Sequence, residues 1–183
     1  MSSLALVAAL ALAAPVAEAT VMVRLSRAEL IDRAELVVRC VVEGQGARWN
    51  EDGTRIITLS RLRVLAYLKG QGPAGVVLRQ FGGTVGGDTL QVPGDARLTR
   101  GGEYVLFLRR GAGDVVYLTA MSQSAFAVGR DAQGAVTVQR SFEDVTFAVP
   151  QGDRMVYVEA GDEPPEPLYR LLDAVSQRAR GAR

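Results

Sequence analysis

The chain of 183 residues contains no histidine and a single cysteine, Cys40; Lys69 is the only lysine among its 21 basic residues. Without histidine the commonest general base, the commonest zinc ligand and the usual partner of a Ser or Cys nucleophile are all missing. Ser-His-Asp and Cys-His catalysis are thereby excluded, and a Ser-Lys variant would have to use Lys69, which sits beside Gly70 at a predicted strand end and reads as solvated. A lone cysteine excludes both an internal disulfide and a structural zinc site, which needs Cys or His ligands at short spacing. Cys40 lies within Leu36-Val37-Val38-Arg39-Cys40-Val41-Val42, where a buried, inert thiol is expected. The 21 basic residues meet 20 acidic ones, a net charge of +1 that gives no electrostatic reason to expect nucleic acid or an anionic membrane. Aromatic residues are scarce at 6%, so Arg61, Arg63 and Arg79 lack the stacking platform that single-stranded nucleic acid needs.

What is present is apolar: 48% of the residues are hydrophobic, enough for one substantial core plus an appendage. An apolar run from Leu4 to Val16 precedes Ala17-Glu18-Ala19, the small-x-small pattern of a signal-peptidase site. Residues 1–19 therefore read as a signal peptide cleaved after Ala19, giving a secreted or periplasmic protein that begins at Thr20. The run is shorter than the roughly 20 residues that span a bilayer, so no stable membrane span is expected after cleavage.

Beyond the leader, Ser26 and Glu29 fit a capping box, and Leu25, Ala28, Leu30 and Ile31 share a face, which predicts a short helix over 27–33. Glu35 to Glu43 is Val-rich without helical periodicity and reads as a buried strand. Gly44, Gly46 and Asn50-Glu51-Asp52-Gly53 mark a long turn, and Thr54 to Tyr67 a long strand whose faces change character partway. Val76 to Phe81 predicts the next strand and Thr89 to Val92 a short one. Hairpins follow at 103–108 with 115–118, and at 125–129 with 136–138. Turn signals are frequent and no long helix intervenes, so residues 20–160 read as an antiparallel β structure closed as a small barrel, with a hairpin extension. Asp162-Glu163-Pro164-Pro165-Glu166-Pro167 reads as a stiff acidic linker over 161–167. Leu168, Leu171, Leu172 and Val175 then predict a helix over 168–180, with Arg178, Arg180 and Arg183 at its carboxyl end.

Paired carboxylates can hydrolyse sugars without histidine, which directs attention to Asp88, Glu103, Glu143 and Asp144. Glu143 and Asp144 are neighbours on a segment read as extended, so they are expected to point to opposite sides. No catalytic constellation results, and the chain is not read as an enzyme. The glycines of Gly82-Gly83-Thr84-Val85-Gly86-Gly87 lack the Lys-Ser/Thr ending of a phosphate loop and read as a β-turn region. Asp131-Ala132-Gln133-Gly134 offers one charged ligand and reads as a turn rather than a calcium loop. Neither cofactor nor metal is expected.

Ala34-Glu35-Leu36-Val37-Val38-Arg39-Cys40-Val41-Val42, Arg61-Leu62-Arg63-Val64 running to Leu68-Lys69-Gly70, and Gly101-Gly102-Glu103-Tyr104-Val105-Leu106-Phe107-Leu108 together resemble the netrin-like domain. More narrowly, they are similar to the amino-terminal domain of the tissue inhibitors of metalloproteinases. The resemblance covers about residues 30–125 and implies a mostly β fold, a five-stranded oligonucleotide-binding-type (OB-type) barrel. That family begins with a Cys whose amino group and carbonyl grip the protease zinc, where this chain has Thr20-Val21-Met22 and none of the family disulfides.

The resulting expectation is an exported, non-catalytic protein-binding module, with a secreted zinc metalloprotease as the partner the resemblance implies. Its candidate contacts are Thr20 and Val21 at the mature end, Trp49 and Asn50 in the first long turn, and Thr84 and Val85 in the glycine-rich turn. Trp49 either anchors a partner or folds back over the barrel mouth. The alternative is a structural or accessory envelope protein that assembles through its carboxyl-terminal helix.

Overall fold

Ser26 and Glu29 close the predicted capping box, each side chain bonding the other's backbone amide, and start helix α1 (Arg27–Arg33). The computed structural model describes residues 20–181; the predicted leader, 1–19, and Arg183 lie outside the described residues. In chain order the strands are β1 (Thr20–Val23), β2 (Leu36–Trp49), β3 (Ile56–Lys69), β4 (Gly75–Phe81), β5 (Gly83–Val85), β6 (Asp88–Leu90), β7 (Glu103–Arg110) and β8 (Val115–Leu118). After a 3-10 turn, Met121–Ser124, come β9 (Ala125–Arg130), β10 (Val136–Gln139), β11 (Val145–Gln151), β12 (Arg154–Glu159), β13 (Glu166–Pro167) and helix α2 (Leu168–Gly181).

The protein is mostly β, and five strands close into a barrel in the order β7-β2-β3-β4-β8 and back to β7. The expectation of an all-antiparallel barrel needs correction: β4 and β8 run parallel, Val77 beside Val115 and Leu78 beside Val116. A closed ring with an odd number of strands cannot alternate direction throughout, so one pairing must be parallel. The predicted turn at Gly44–Gly53 is also shorter than expected. β2 continues through Gly44, at an irregularity opposite Arg61, and through Gly46 opposite Leu59, leaving only 50–55 as the turn.

The start of β2, Leu36 to Val38, and the middle of β7, Tyr104 to Leu108, are buried on both faces, which is why these stretches show no two-residue alternation in sequence. Leu36, Val38, Cys40, Val42, Leu106 and Leu108 point into the barrel with Leu62 and Leu78. Val37, Val105 and Phe107 point outward into a second core completed by Phe126, Leu30, Ile31 and the α2 residues Leu168, Leu171 and Val175. The carboxyl-terminal helix is thus docked, its apolar stripe covered.

Lys69 departs from its solvated reading. Its Nζ donates to Ile31 O (2.6 Å) and Ala34 O (2.7 Å), capping the carboxyl end of α1. Gly70 follows with φ +75°, and a Cβ there would meet Leu36 Cδ2 at 2.6 Å and Glu35 O at 2.8 Å, so only glycine fits.

A separate sheet of order β1-β11-β12 packs Phe142, Val145 and Phe147 with Met22. The acidic Pro-rich segment crosses between these units. Glu163 receives Arg140 Nε (2.8 Å) and Nη2 (2.6 Å), Arg140 also lies over the Phe126 and Phe142 rings, and Glu166 pairs with Arg27.

Candidate functional site

Toward the β2–β3 hairpin the barrel interior turns polar. Past the irregularity at Gly44, Gln45 faces Ser60 and Ala47 faces Thr58, and Gln80 is the inward neighbour of Thr58 on β4. Ser60 is fully buried and accepts a hydrogen bond from Gln45 Nε2 (3.0 Å). Gln45, Thr58 and Gln80 line the floor of an open cleft of about 280 Å³ whose walls include Gly83, Asp95 and Arg97, with Ser60 buried beneath.

Side chains of the barrel and of β1 hold the rim through main-chain carbonyls. Thr58 Oγ1 donates to Gly82 O (2.7 Å), Gln80 Nε2 to Ala96 O (2.8 Å) and Thr20 Oγ1 to Pro93 O (2.8 Å). Gly83 lies directly over the barrel end with φ +126°; a Cβ there would meet Thr58 Oγ1 at 2.6 Å and Ala47 Cβ at 2.8 Å.

None of the candidate contacts expected from sequence lines this cleft itself; Trp49, Asn50, Thr84, Val85 and Thr20 lie on, follow or bond to the segments that do. Trp49, 40% exposed, ends β2 beside the hairpin turn. Asn50 holds that turn, its Oδ1 accepting the amides of Thr54 (2.8 Å) and Arg55 (3.0 Å). Thr84 and Val85 belong to β5, which starts at Gly83; Thr84 Oγ1 lies 3.0 Å from Thr89 Oγ1 across the β5–β6 pair. Thr20 reaches the cleft wall through Pro93, but it is no loose end. Its nitrogen donates to Asp144 O (3.0 Å) and β1 pairs in parallel with β11. Val21 is not at the mouth: it alternates onto the other face of the small sheet, exposed with Val23.

Glu143 and Asp144, expected on opposite sides, converge. Asp144 has φ +56°, a left-handed residue just before β11, and both carboxylates reach Arg97, at 2.8 Å and 3.6 Å. Asp95 is half-buried, and desolvation pushes its carboxyl above its ordinary value against the opposing hydrogen bonds of the Ala96 amide and Gln80. Away from the mouth, burial and then the Glu103 charge push the Cys40 thiol up to about 12, which makes it inert as a nucleophile. Glu103 pairs with Arg39, and Asp88 is exposed on β6.

Gln45, Thr58, Gln80, Asp95 and Arg97 were not singled out from sequence. The available signal was polar residues at inward positions: Thr58, Ser60 and Gln80 continue the alternation that Leu62, Val76 and Leu78 occupy with apolar side chains.

Among the described residues no group of three or more Cys, Asp or Glu side chains is placed to hold a metal ion. Among the same residues no helix is long and apolar enough to cross a membrane. No protein-family model matches the chain, and no curated protein matches its sequence.

Proposed function

We propose that this protein is an exported, non-catalytic binding module that presents the mouth of an OB-type, netrin-like barrel to a protein partner. The observation that carries the reading is the mouth itself, a polar-floored cleft with an exposed Trp49 beside it and loops fixed in place by Thr58, Gln80 and Thr20. Rim loops held before binding lose little conformational freedom on association. The five strands also follow the order expected of an OB-type barrel: first, second, third, fifth, fourth and back to first.

A photoreactive residue placed at Trp49 or at Val85, in the cells that make the protein, tests this. A discrete protein adduct from both positions, and none from the exposed Leu65 on the outer barrel wall, is the expected result; adducts from Leu65 alone would overturn it.

The narrower form is inhibition of a secreted zinc metalloprotease by the amino end at Thr20. Thr20 adjoins the mouth, where such an end would have to be. Gripping zinc requires the Thr20 nitrogen to leave Asp144 O, so the geometry favours mouth-loop contact over chelation. Titrating the chain that starts at Thr20 against zinc metalloproteases separates the two: inhibition abolished by one extra residue ahead of Thr20 establishes chelation, and no inhibition by either form eliminates this narrower version. Assembly through α2 is less well supported, because Leu168, Leu171 and Val175 already pack against the body.

A further inference from the structure

On the outer wall of the barrel, register places three side chains in one row. Tyr117 on β8 is the direct antiparallel partner of Arg109 on β7, and the parallel β4–β8 ladder, running Val77 with Val115 and Leu78 with Val116, brings Arg79 alongside Tyr117. Adjacent strands lie about 4.8 Å apart, so the backbones of the two arginines stand on either side of Tyr117, about 10 Å apart. A pocket of about 160 Å³ opens at this row, with Gln80, Asp95 and Met121 among its walls.

Of the arginines among the described residues, some are held in ion pairs, Arg39 by Glu103, Arg97 by Glu143 and Arg140 by Glu163 among them, and others, such as Arg48 and Arg61, are not. Among the described residues Arg79 and Arg109 have no ion-pair partner, although they share one pocket. Asp95, the one carboxylate on the wall, already receives the Ala96 amide on Oδ1 at 2.8 Å.

We infer that Arg79, Tyr117 and Arg109 form a pocket for a carboxylate, the side chain of an acidic residue that a protein partner presents beside the barrel mouth. The inference deepens the proposed function and rests on it for the source of the carboxylate. Two guanidinium groups supply forked donors suited to a carboxylate, and the tyrosine adds a flat wall. The volume admits a side-chain-sized group and is too small for a nucleotide or a sugar chain. The pocket also shares Gln80, Phe81 and Asp95 with the mouth cleft, so a chain seated in the mouth passes its entrance. Phe81 is 49% exposed there and carries the Arg55 guanidinium 5.5 Å from its ring centre, a ready apolar contact next to the charge.

The test is an amide-resolved titration of the isotopically labelled protein with a terminally blocked Glu-Glu dipeptide, its Gln-Gln counterpart and inorganic phosphate. Saturable shifts around Arg79, Arg109 and Tyr117 are expected with Glu-Glu only. They should weaken about tenfold in Arg79→Gln and in Arg109→Gln, and less in Arg109→Lys, which keeps the charge without the fork. Equal response to Gln-Gln, a response to phosphate alone, no saturable shift, or unchanged affinity in both glutamine variants would each overturn the pocket. Unchanged melting temperatures guard against misfolding, and both arginines lie on the outer wall. Glu-Glu binding without a cross-linked adduct at Trp49 or Val85 would keep the pocket and reject the partner reading; an adduct without Glu-Glu binding would do the reverse.

Discussion

The two ends of the same barrel are built on opposite principles. At the α1 end, Leu36, Val38, Leu106 and Leu108 fill the interior, and Lys69 ties α1 across the strand ends by bonding its last carbonyls. At the mouth, the inward positions carry Gln45, Thr58, Ser60 and Gln80, and the covering chain is held through carbonyl hydrogen bonds instead of apolar contact. The same inward alternation along β3 and β4 passes from one regime to the other within a few residues. Cores packed at crystal density resist rearrangement, whereas polar attachments of about 1 kcal/mol each leave a rim that is ordered yet able to adapt. Under the proposed function the closed end would supply stability and the mouth recognition.

Several substitutions would break or sharpen that contrast. Phe107→Ala, removing a fully buried ring that packs 5.5 Å from Phe126, should cost about 3–5 kcal/mol in denaturant unfolding. Arg140→Met should cost about 2–3 kcal/mol, because Glu163 loses its two-point partner and keeps only Arg24, while the methionine retains part of the packing against Phe126 and Phe142. Lys69→Met should cost about 2 kcal/mol by uncapping α1, with cross-linking at the mouth unchanged. Thr58→Val should cost only about 1 kcal/mol but reduce adduct formation at Val85, since it frees Gly82 O and the segment that follows. A loss of several kcal/mol on this change would mean that the mouth is core after all.

The smallest effect is a pH dependence. Burial raises the Asp95 carboxyl above its unfolded value, so between the unfolded and the folded values the folded protein holds more protons than the unfolded chain. Stability attributable to this group therefore falls as pH rises through the folded value and is fully present only below the unfolded one. Asp95→Asn keeps an acceptor for the Ala96 amide and should flatten that fall, which thermal melts from acid to neutral pH would register. A variant less stable than the parent at neutral pH would contradict the assignment.

Much of the closed end was legible in sequence because its signals are local. The Ser26–Glu29 capping box, the Val-rich β2 and the 103–118 hairpin each declare themselves within a dozen residues. β1 was not legible: it is four residues long and pairs in parallel with β11, more than a hundred residues away, so no turn announces it. β12 was missed for a different reason, having Met155, Val156, Tyr157 and Val158 exposed in succession, with no alternation to read. Lys69 looked solvated because nothing in its own neighbourhood shows α1 arriving at its tip. At the mouth, Trp49, Thr84 and Val85 read as turn residues from the glycines around them, but they end β2 and build β5; Gln45 and Gln80 were hidden inside strands, where a polar side chain reads as facing water unless the bend of the barrel is known.

Amide hydrogen exchange of the free protein tests the contrast most directly. The account predicts that the amides of 36–42 and 104–108 exchange only through global unfolding, and that those of 83–97 exchange at least about a thousandfold faster through local opening. Equal protection at both ends would contradict it, because the polar attachments of the mouth would then hold its chain as firmly as apolar packing holds the closed end.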